Sequence, residues 1–407
     1  MIFHNLKLKN IGPFRDTSLT FEKEQGGVYP VVIITGENGT GKSIILDAIR
    51  TALRGLYGIE RDIIADKSDF LIDLEVEDGQ SAKNHIIADK LANNGKPDGI
   101  NIYRDYFTRE LSNDRKVNWV IDYWSPDLNA DTFDITNISS INIKQAIIDS
   151  LNKTTANVNL TRFISSIDYL KGSGKKEESH RGEVIFKKIK EIFDDCVSKN
   201  SFSHVERESI TPMIKTHGKE VSLEKLSSGN ILLVKHLIGL MSRMYGICRI
   251  NEMSIEEMFK IEGVLLIDEV ENHLHPKWQK SVIGIIRKHF PNLQIILTTH
   301  SPFVVSSVDD AKIYACIDKV DHSEIVDETA DYSNYPVDDV LGTGVFDVDP
   351  FSKKISEKLA ERMRAIKSGD KANKERIEKE LISLNEGYFG YYNLKDQIAF
   401  YDKNETH

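Results

Sequence analysis

Three short stretches of this chain hold residue types suited to phosphate chemistry. The first is "GENGTGKS", behind the apolar run "PVVIIT", where Gly36, Glu37, Asn38, Gly39, Thr40, Gly41, Lys42, Ser43 and the following Ile44 form a glycine-rich loop. Its Gly-four-Gly-Lys-Ser spacing lets backbone N–H groups wrap the phosphates of a nucleotide, with Lys42 in reach of the β and γ phosphates and the Ser43 hydroxyl suited to Mg²⁺. The second is "LLIDEVENHLHP", an apolar strand pattern ending in the adjacent acids Asp268 and Glu269. Paired acids at a buried strand end are costly unless a cation or a chemical task needs them. Asp268 is therefore expected to support Mg²⁺ through its water shell, and Glu269 to orient and deprotonate an attacking water. The third is "ILTTHSP", which places His300 where an imidazole can hydrogen-bond a γ phosphate or that water. A lone histidine there is more often structural, so its role rests on the company of the other two motifs.

These side chains need elements to position them. The run before the loop is continuous and β-branched, the pattern of a strand buried on both faces. After the loop, Ile44, Ile45, Ala48, Ile49, Ala52 and Leu53 recur at helical spacing. Strand, glycine loop and helix is the context a phosphate loop requires, because the helix N-terminus then faces the anion. Upstream, "IFHNLKLKN" and "TSLTFE" flank the turn "IGPF" and read as a strand pair. Alternating stretches from Phe70 to Trp124, ending in "VNWVIDYW", predict an antiparallel subsheet with Trp119 and Trp124 packed on it.

Helical periodicity dominates Ser140 to Asn200, with Ile185, Ile189, Ile192, Phe193 and Cys196 on one face, interrupted by a polar, mobile loop at Lys171 to Glu183. A hairpin turning at Gly218 leads to "LSSGN". Two more buried strands are expected at Val264 to Ile267 and Gln294 to Thr298, and charged helical text follows Asp331. The predicted fold class is α/β: a mixed sheet with a parallel core, an antiparallel subsheet, a helical lobe and a helical tail. The expected division is a discontinuous head (1–150 and 215–330), a helical lobe insertion (151–214) and a C-terminal tail (331–407).

Composition sets the bounds. The chain has 407 residues, 40% of them hydrophobic and 29% charged, enough for a large core. Cys196, Cys248 and Cys316 are far apart and odd in number, which fits neither a disulfide framework nor a paired metal-ligand spacing and suits a reduced, cytoplasmic setting. No window approaches the roughly 20 apolar residues of a membrane span, so a soluble protein with no membrane partner is expected. A net charge of -10 confines any nucleic-acid contact to a local patch.

"GENGTGKS", "LSSGN", "LLIDEVENHLHP" and "ILTTHSP", in that order, resemble the phosphate loop, signature, acidic strand and switch histidine of ABC-type ATPases. "LKLKNIGPF", "ENGTGKSIILDAI" and "DEVENHLHPKWQ" resemble the RecF, SMC and overcoming-lysogenization-defect branch, and in particular the stand-alone ATPases of prokaryotic anti-phage operons such as the Septu ATPase. The resemblance implies a head-to-tail dimer or higher oligomer of this chain. ATP would be held by Gly36 to Ser43 of one copy and covered by Ser227, Ser228, Gly229 and Asn230 of the other. It further implies a switch acting on an effector encoded nearby, with DNA as the expected trigger. The glutamine that couples metal to lobe in that family has only weak counterparts here, Gln80 and Gln145. Glu271, Asn272 and His273 match the family's inter-subunit loop and receive no chemistry of their own. Asp347 and Asp349 are read as a solvated loop rather than a nuclease metal pair. Lys171 to Arg181 with Lys187, Lys188 and Lys190 could touch a phosphate backbone, diluted by neighbouring glutamates. The competing readings are a RecF-like DNA-repair clamp and an ATP-binding scaffold with little turnover.

Overall fold

Continuous burial and strict alternation separate two sheets in this chain. The computed structural model describes residues 1–55, 62–79, 83–103, 117–126, 149–151, 160–197, 200–216, 218–225, 228–332, 335–342, 346 and 351–390. In chain order the strands are β1 (Ile2–Ile11), β2 (Phe14–Thr20), β3 (Val31–Gly36), β4 (Leu71–Glu77), β5 (Asn84–Ala88), the short β6 (Lys90–Leu91) and β7 (Pro97–Asp98), β8 (Val120–Trp124), β9 (Asn200–Glu206), β10 (Thr211–Thr216), β11 (Lys219–Ser222), β12 (Gly263–Ile267), β13 (Leu293–Thr299), β14 (Ala311–Asp318) and β15 (Ser323–Asp327).

Strands β3, β12 and β13 are buried at every position. They sit inside a six-stranded sheet of order β15-β14-β3-β13-β12-β8, in which each neighbouring pair from β14 to β8 is parallel and β15 alone runs antiparallel to β14. Strand β4 alternates buried and half-buried residues and belongs to an antiparallel sheet of order β2-β1-β4-β5. The helix Lys42–Arg54 lies between the two sheets. Its Ile45, Leu46, Ala48, Ile49 and Leu53 share one core with Leu6 and Leu8 of β1, Ile72 and Leu74 of β4, and Val32 and Ile34 of β3. Burying both surfaces of this helix anchors the loop that precedes it.

One expectation is corrected here. "VNWVIDYW" does not extend the antiparallel subsheet: β8 pairs in parallel with β12, Leu265 opposite Asp122 and Ile267 opposite Trp124, and is buried throughout. Trp119 is buried against Tyr103, edge to face at 5.8 Å, while Trp124 packs on a helix.

The helices Leu160–Lys171 and Lys176–Cys196 pack with the sheet β11-β10-β9, where Phe202 meets Phe186 at 5.4 Å and Phe193 at 5.1 Å. All five residues of the predicted helical face, Ile185, Ile189, Ile192, Phe193 and Cys196, are buried. The mobile loop expected at Lys171 to Glu183 is instead a tight turn followed by helix from Lys176. Ser179 Oγ donates to the Lys171 carbonyl at 2.8 Å, and a Cβ at Gly182 would lie 2.3 Å from the Lys171 nitrogen, so the glycine permits close helix contact.

The helix Ser228–Ile250 corrects another expectation. Among the described residues its segment Ile231–Ile250 is long and apolar enough, by length and composition, to cross a membrane, and most of it is buried inside the protein. That burial is what a core helix shows.

By contact, residues Met1–Val340 form one unit and Leu341–His407 a second. The second holds the helices Lys353–Ser368 and Lys371–Leu384, joined by Gly369 and packed through Ile377, Leu381 and Phe389 with Phe351, Ile355 and Leu359 around them. Arg362 pairs with Glu378 at 2.7 Å across this core.

Candidate functional site

The parallel sheet delivers three strand ends to one edge. From β3 comes the glycine loop, whose Gly36, Gly39 and Gly41 have φ of 146°, 86° and 98°, a region side-chain-bearing residues avoid. A Cβ on Gly36 would sit 2.4 Å from the Cys316 carbonyl of β14, and one on Gly41 2.6 Å from Pro13. The loop thus needs glycine for both conformation and space. Lys42 is buried, and its Nζ donates to the Gly36 carbonyl at 3.0 Å and the Glu37 carbonyl at 2.7 Å. Burial lowers its pKa below the ordinary lysine value, opposed by the Cys316 thiol and by Glu271, Glu269 and Asp268.

From β12 come the two acids. Ser43 Oγ, on the first turn of the phosphate helix, donates to Asp268 Oδ1 at 2.9 Å. Thr298 of β13 donates to the same oxygen at 2.6 Å and accepts from the Glu269 backbone N–H at 2.8 Å. One hydroxyl therefore fixes both acids. Asp268 is buried, whereas Glu269 is half-buried and starts a turn with φ of 50°. Ser43 and Asp268 offer the hard oxygen ligands that Mg²⁺ takes, and the glycine loop presents backbone donors beside them, so these residues fit ATP with Mg²⁺.

From β13 comes His300, half-buried at the strand end. Burial and then the Lys42 charge lower its pKa, opposed by Glu271 and Glu269. Glu271 Oε1 accepts from the His300 backbone N–H at 2.5 Å and Oε2 from Thr299 Oγ1 at 2.7 Å. Asn272 Nδ2 donates to Glu269 Oε2 at 2.7 Å. Reading Glu271 and Asn272 as residues without chemistry of their own is thereby amended: both hydrogen-bond to the segments that carry Glu269 and His300. With Thr298 they are the site residues to which sequence reasoning gave no role. The readable signal for Thr298 was the pair of hydroxyls, with Thr299, that closes the apolar run Ile295 to Leu297.

Beside the acids lies a small, mostly apolar cavity of about 30 Å³, lined by Trp124, Pro126, Leu232, His236, Ile267 and Leu274 and bordered by Glu269. It separates the acidic strand end from the helix Ser228–Ile250. That helix is fastened to β8 by Arg243 Nη1 donating to Asp122 Oδ2 at 2.5 Å and by His236 stacked on Trp124 at 4.7 Å. Ser228, Gly229 and Asn230 begin this helix. Ser227, Gln80, Gln145, Asp347 and Asp349 lie outside the described residues.

The family model AAA_21, described as "AAA domain, putative AbiEii toxin, Type IV TA system", matches residues 31–306, more than half of the chain. The chain is 40% identical over 97 residues to a retron Vc95 probable ATPase of Vibrio cholerae serotype O1 biovar El Tor, covering 24% of this chain and 18% of that protein. It is 23% identical over 406 residues to a Septu protein PtuA of Bacillus mycoides (strain KBAB4), covering 98% of this chain and 51% of that one. The chain thus spans about half, or less, of the length of these curated relatives. Among solved structures it is similar to an SMC head bound to the C-winged helix domain of ScpA, at 17% identity and TM-score 0.47, over 80% of this chain and 97% of that one.

Proposed function

This chain belongs to the AAA_21 family, and from that premise we propose that it hydrolyses ATP with Mg²⁺ and uses the cycle to switch a partner effector in cytoplasmic defence against phage. The observation that carries the reading is the convergence of Lys42, Ser43, Asp268, Glu269 and His300 at one end of the parallel sheet, with Ser43 and Thr298 both bonded to one Asp268 oxygen. In this reading the loop Gly36 to Ile44 cradles the phosphates with its N–H groups, and Lys42 exchanges its loop carbonyls for β and γ oxygens. Ser43 and Asp268 would hold Mg²⁺, which would neutralise charge developing between those oxygens. Glu269, half-buried at the mouth, takes the proton of the attacking water, and His300 senses the γ phosphate.

Closure would come from a second copy, whose Ser227, Ser228, Gly229 and Asn230 cap the nucleotide, so that ATP binding and pairing become one event. Hydrolysis would reopen the pair and pass the change to a nuclease, toxin or retron-type module encoded nearby, with DNA as the trigger. What supports the defence setting, as distinct from the effector and the trigger, is the likeness to a retron probable ATPase and a Septu protein.

The test is the Glu269→Gln protein beside wild type, with and without ATP and Mg²⁺. Wild type should turn over ATP. The variant should bind ATP without turnover and accumulate as a larger, ATP-dependent assembly in light scattering. Equal turnover in both proteins, with no change of size, would overturn the reading.

A further inference from the structure

Glu269 opens a turn that the Asn272 N–H closes by donating to the Glu269 carbonyl at 2.9 Å. A chain reversal of this kind is complete with that backbone bond. Two side chains nevertheless reach out from it. The Asn272 amide is directed at the Glu269 carboxylate, 2.7 Å away, and the Glu271 carboxylate spans Thr299 Oγ1 and the His300 N–H at 2.7 and 2.5 Å. Gln279 completes the tie, its Nε2 donating to the Leu274 carbonyl at 2.9 Å and its Oε1 accepting from Ser301 Oγ at 2.7 Å.

We infer that Asn272 and Glu271 are positioning residues for hydrolysis: Asn272 fixes the carboxylate of Glu269, and Glu271 fixes the backbone from which His300 projects. The inference rests on the reading of Glu269 as the base. A glutamate on a half-buried turn otherwise samples several rotamers, and a base must lie within hydrogen-bond reach of the proton it removes. One amide bond to Oε2 selects the pose and leaves Oε1 to face the water. Because Glu271 and Asn272 are sequence neighbours, a shift of this turn displaces base and histidine together. The two groups are thereby geared to one short segment.

The experiment compares single-turnover hydrolysis and ATP affinity in the full chain for wild type, Asn272→Ala, Glu269→Gln and the double variant, with Glu271→Gln and Glu271→Ala beside them. Asn272→Ala should slow hydrolysis roughly tenfold or more with ATP affinity changed less than about twofold, the pattern of a lost transition-state contact. In the Glu269→Gln background the same change should move the residual rate by less than about twofold, since the base it positions is gone. Glu271→Gln, which keeps one acceptor oxygen, should retain more activity than Glu271→Ala. Equal slowing by Asn272→Ala in both backgrounds would mark a merely structural role and overturn the inference. Wild-type turnover in Asn272→Ala with an inactive Glu269→Gln would overturn positioning alone, and wild-type turnover in Glu269→Gln would overturn the base and the inference with it.

Discussion

Strand β12 is flanked by two polar clusters that solve burial in opposite ways. On its β13 side, Asp268 collects hydroxyl donors from Ser43 and Thr298 on one oxygen, at the end of the sheet and next to the half-buried Glu269. On its β8 side, Asp122 is fully buried and closed by Arg243, the Trp124 indole N–H at 3.2 Å and the Tyr123 backbone N–H at 2.8 Å. The first cluster has neutral donors and an outlet. The second has an ion pair sealed between β8 and the helix Ser228–Ile250. Burial raises the Asp122 pKa to about 6 against the opposing pull of Arg243, and burial with the nearby Lys235 and Arg243 charges lowers that of His236 to about 3. An open cluster is arranged for a ligand, and a closed one fastens an element.

Substitutions can break that contrast. The largest expected effect is Asp268→Asn, which keeps an acceptor for Ser43 and Thr298 and should cut ATP turnover on the order of 100- to 1,000-fold while the melting temperature stays near wild type. A collapse in stability instead would make the β13 side a structural cluster as well. Next, Arg243→Met leaves the Asp122 carboxylate buried without its cation and should lower stability in urea by about 3–5 kcal/mol. Adding Asp122→Leu to it should restore most of that loss, because packed apolar residues replace a buried pair at little net cost.

Thr298→Val orphans the Glu269 N–H and removes a donor from Asp268, so about 1–3 kcal/mol of stability should go together with turnover, whereas Thr298→Ser should retain both. The smallest effect is a pH slope. His236 stays neutral in the folded chain down to about 3, while the unfolded chain takes up a proton as pH falls through 6.5, so its stabilising contribution is present above 6.5 and is lost on acidification. Asp122 runs the other way, its burial cost full above about 6 and relieved toward 3.8. The melting temperature of His236→Phe relative to wild type should therefore rise as the buffer goes from about pH 7 to about pH 4. A flat difference would show that His236 is not held neutral.

The same contrast explains what could be read from the sequence. The β13 side was readable because its residues stand in contiguous words: a strand, a glycine loop and a helix, or a strand ending in two acids. The β8 side was not, because its partners are 121 residues apart and meet only in the fold. Asp122 inside "VNWVIDYW" gave a fully buried strand the apparent alternation of an exposed one. Gly182 acted likewise, a close-packing glycine within polar text that reads as a loop. The roles of Thr298, Glu271 and Asn272 could not be read, since they depend on the approach of β12 to β13 and on a turn with φ of 50° at Glu269 and 61° at His273.

The turn between β1 and β2 has a practical consequence for anyone engineering this chain. Hairpin tips are the usual places to graft an epitope or a fluorescent reporter. Here Gly12 donates to the Ile63 carbonyl at 2.7 Å, Pro13 accepts from the Ser323 N–H at 2.9 Å, and neither a Cβ on Gly12, 2.7 Å from Ile44, nor one on Gly41, 2.6 Å from Pro13, would fit. The tip is a keystone under the glycine loop. A graft there would be felt by the nucleotide, whereas the outlying tip at Gly218, with open space around its Cβ position, is the place for a label.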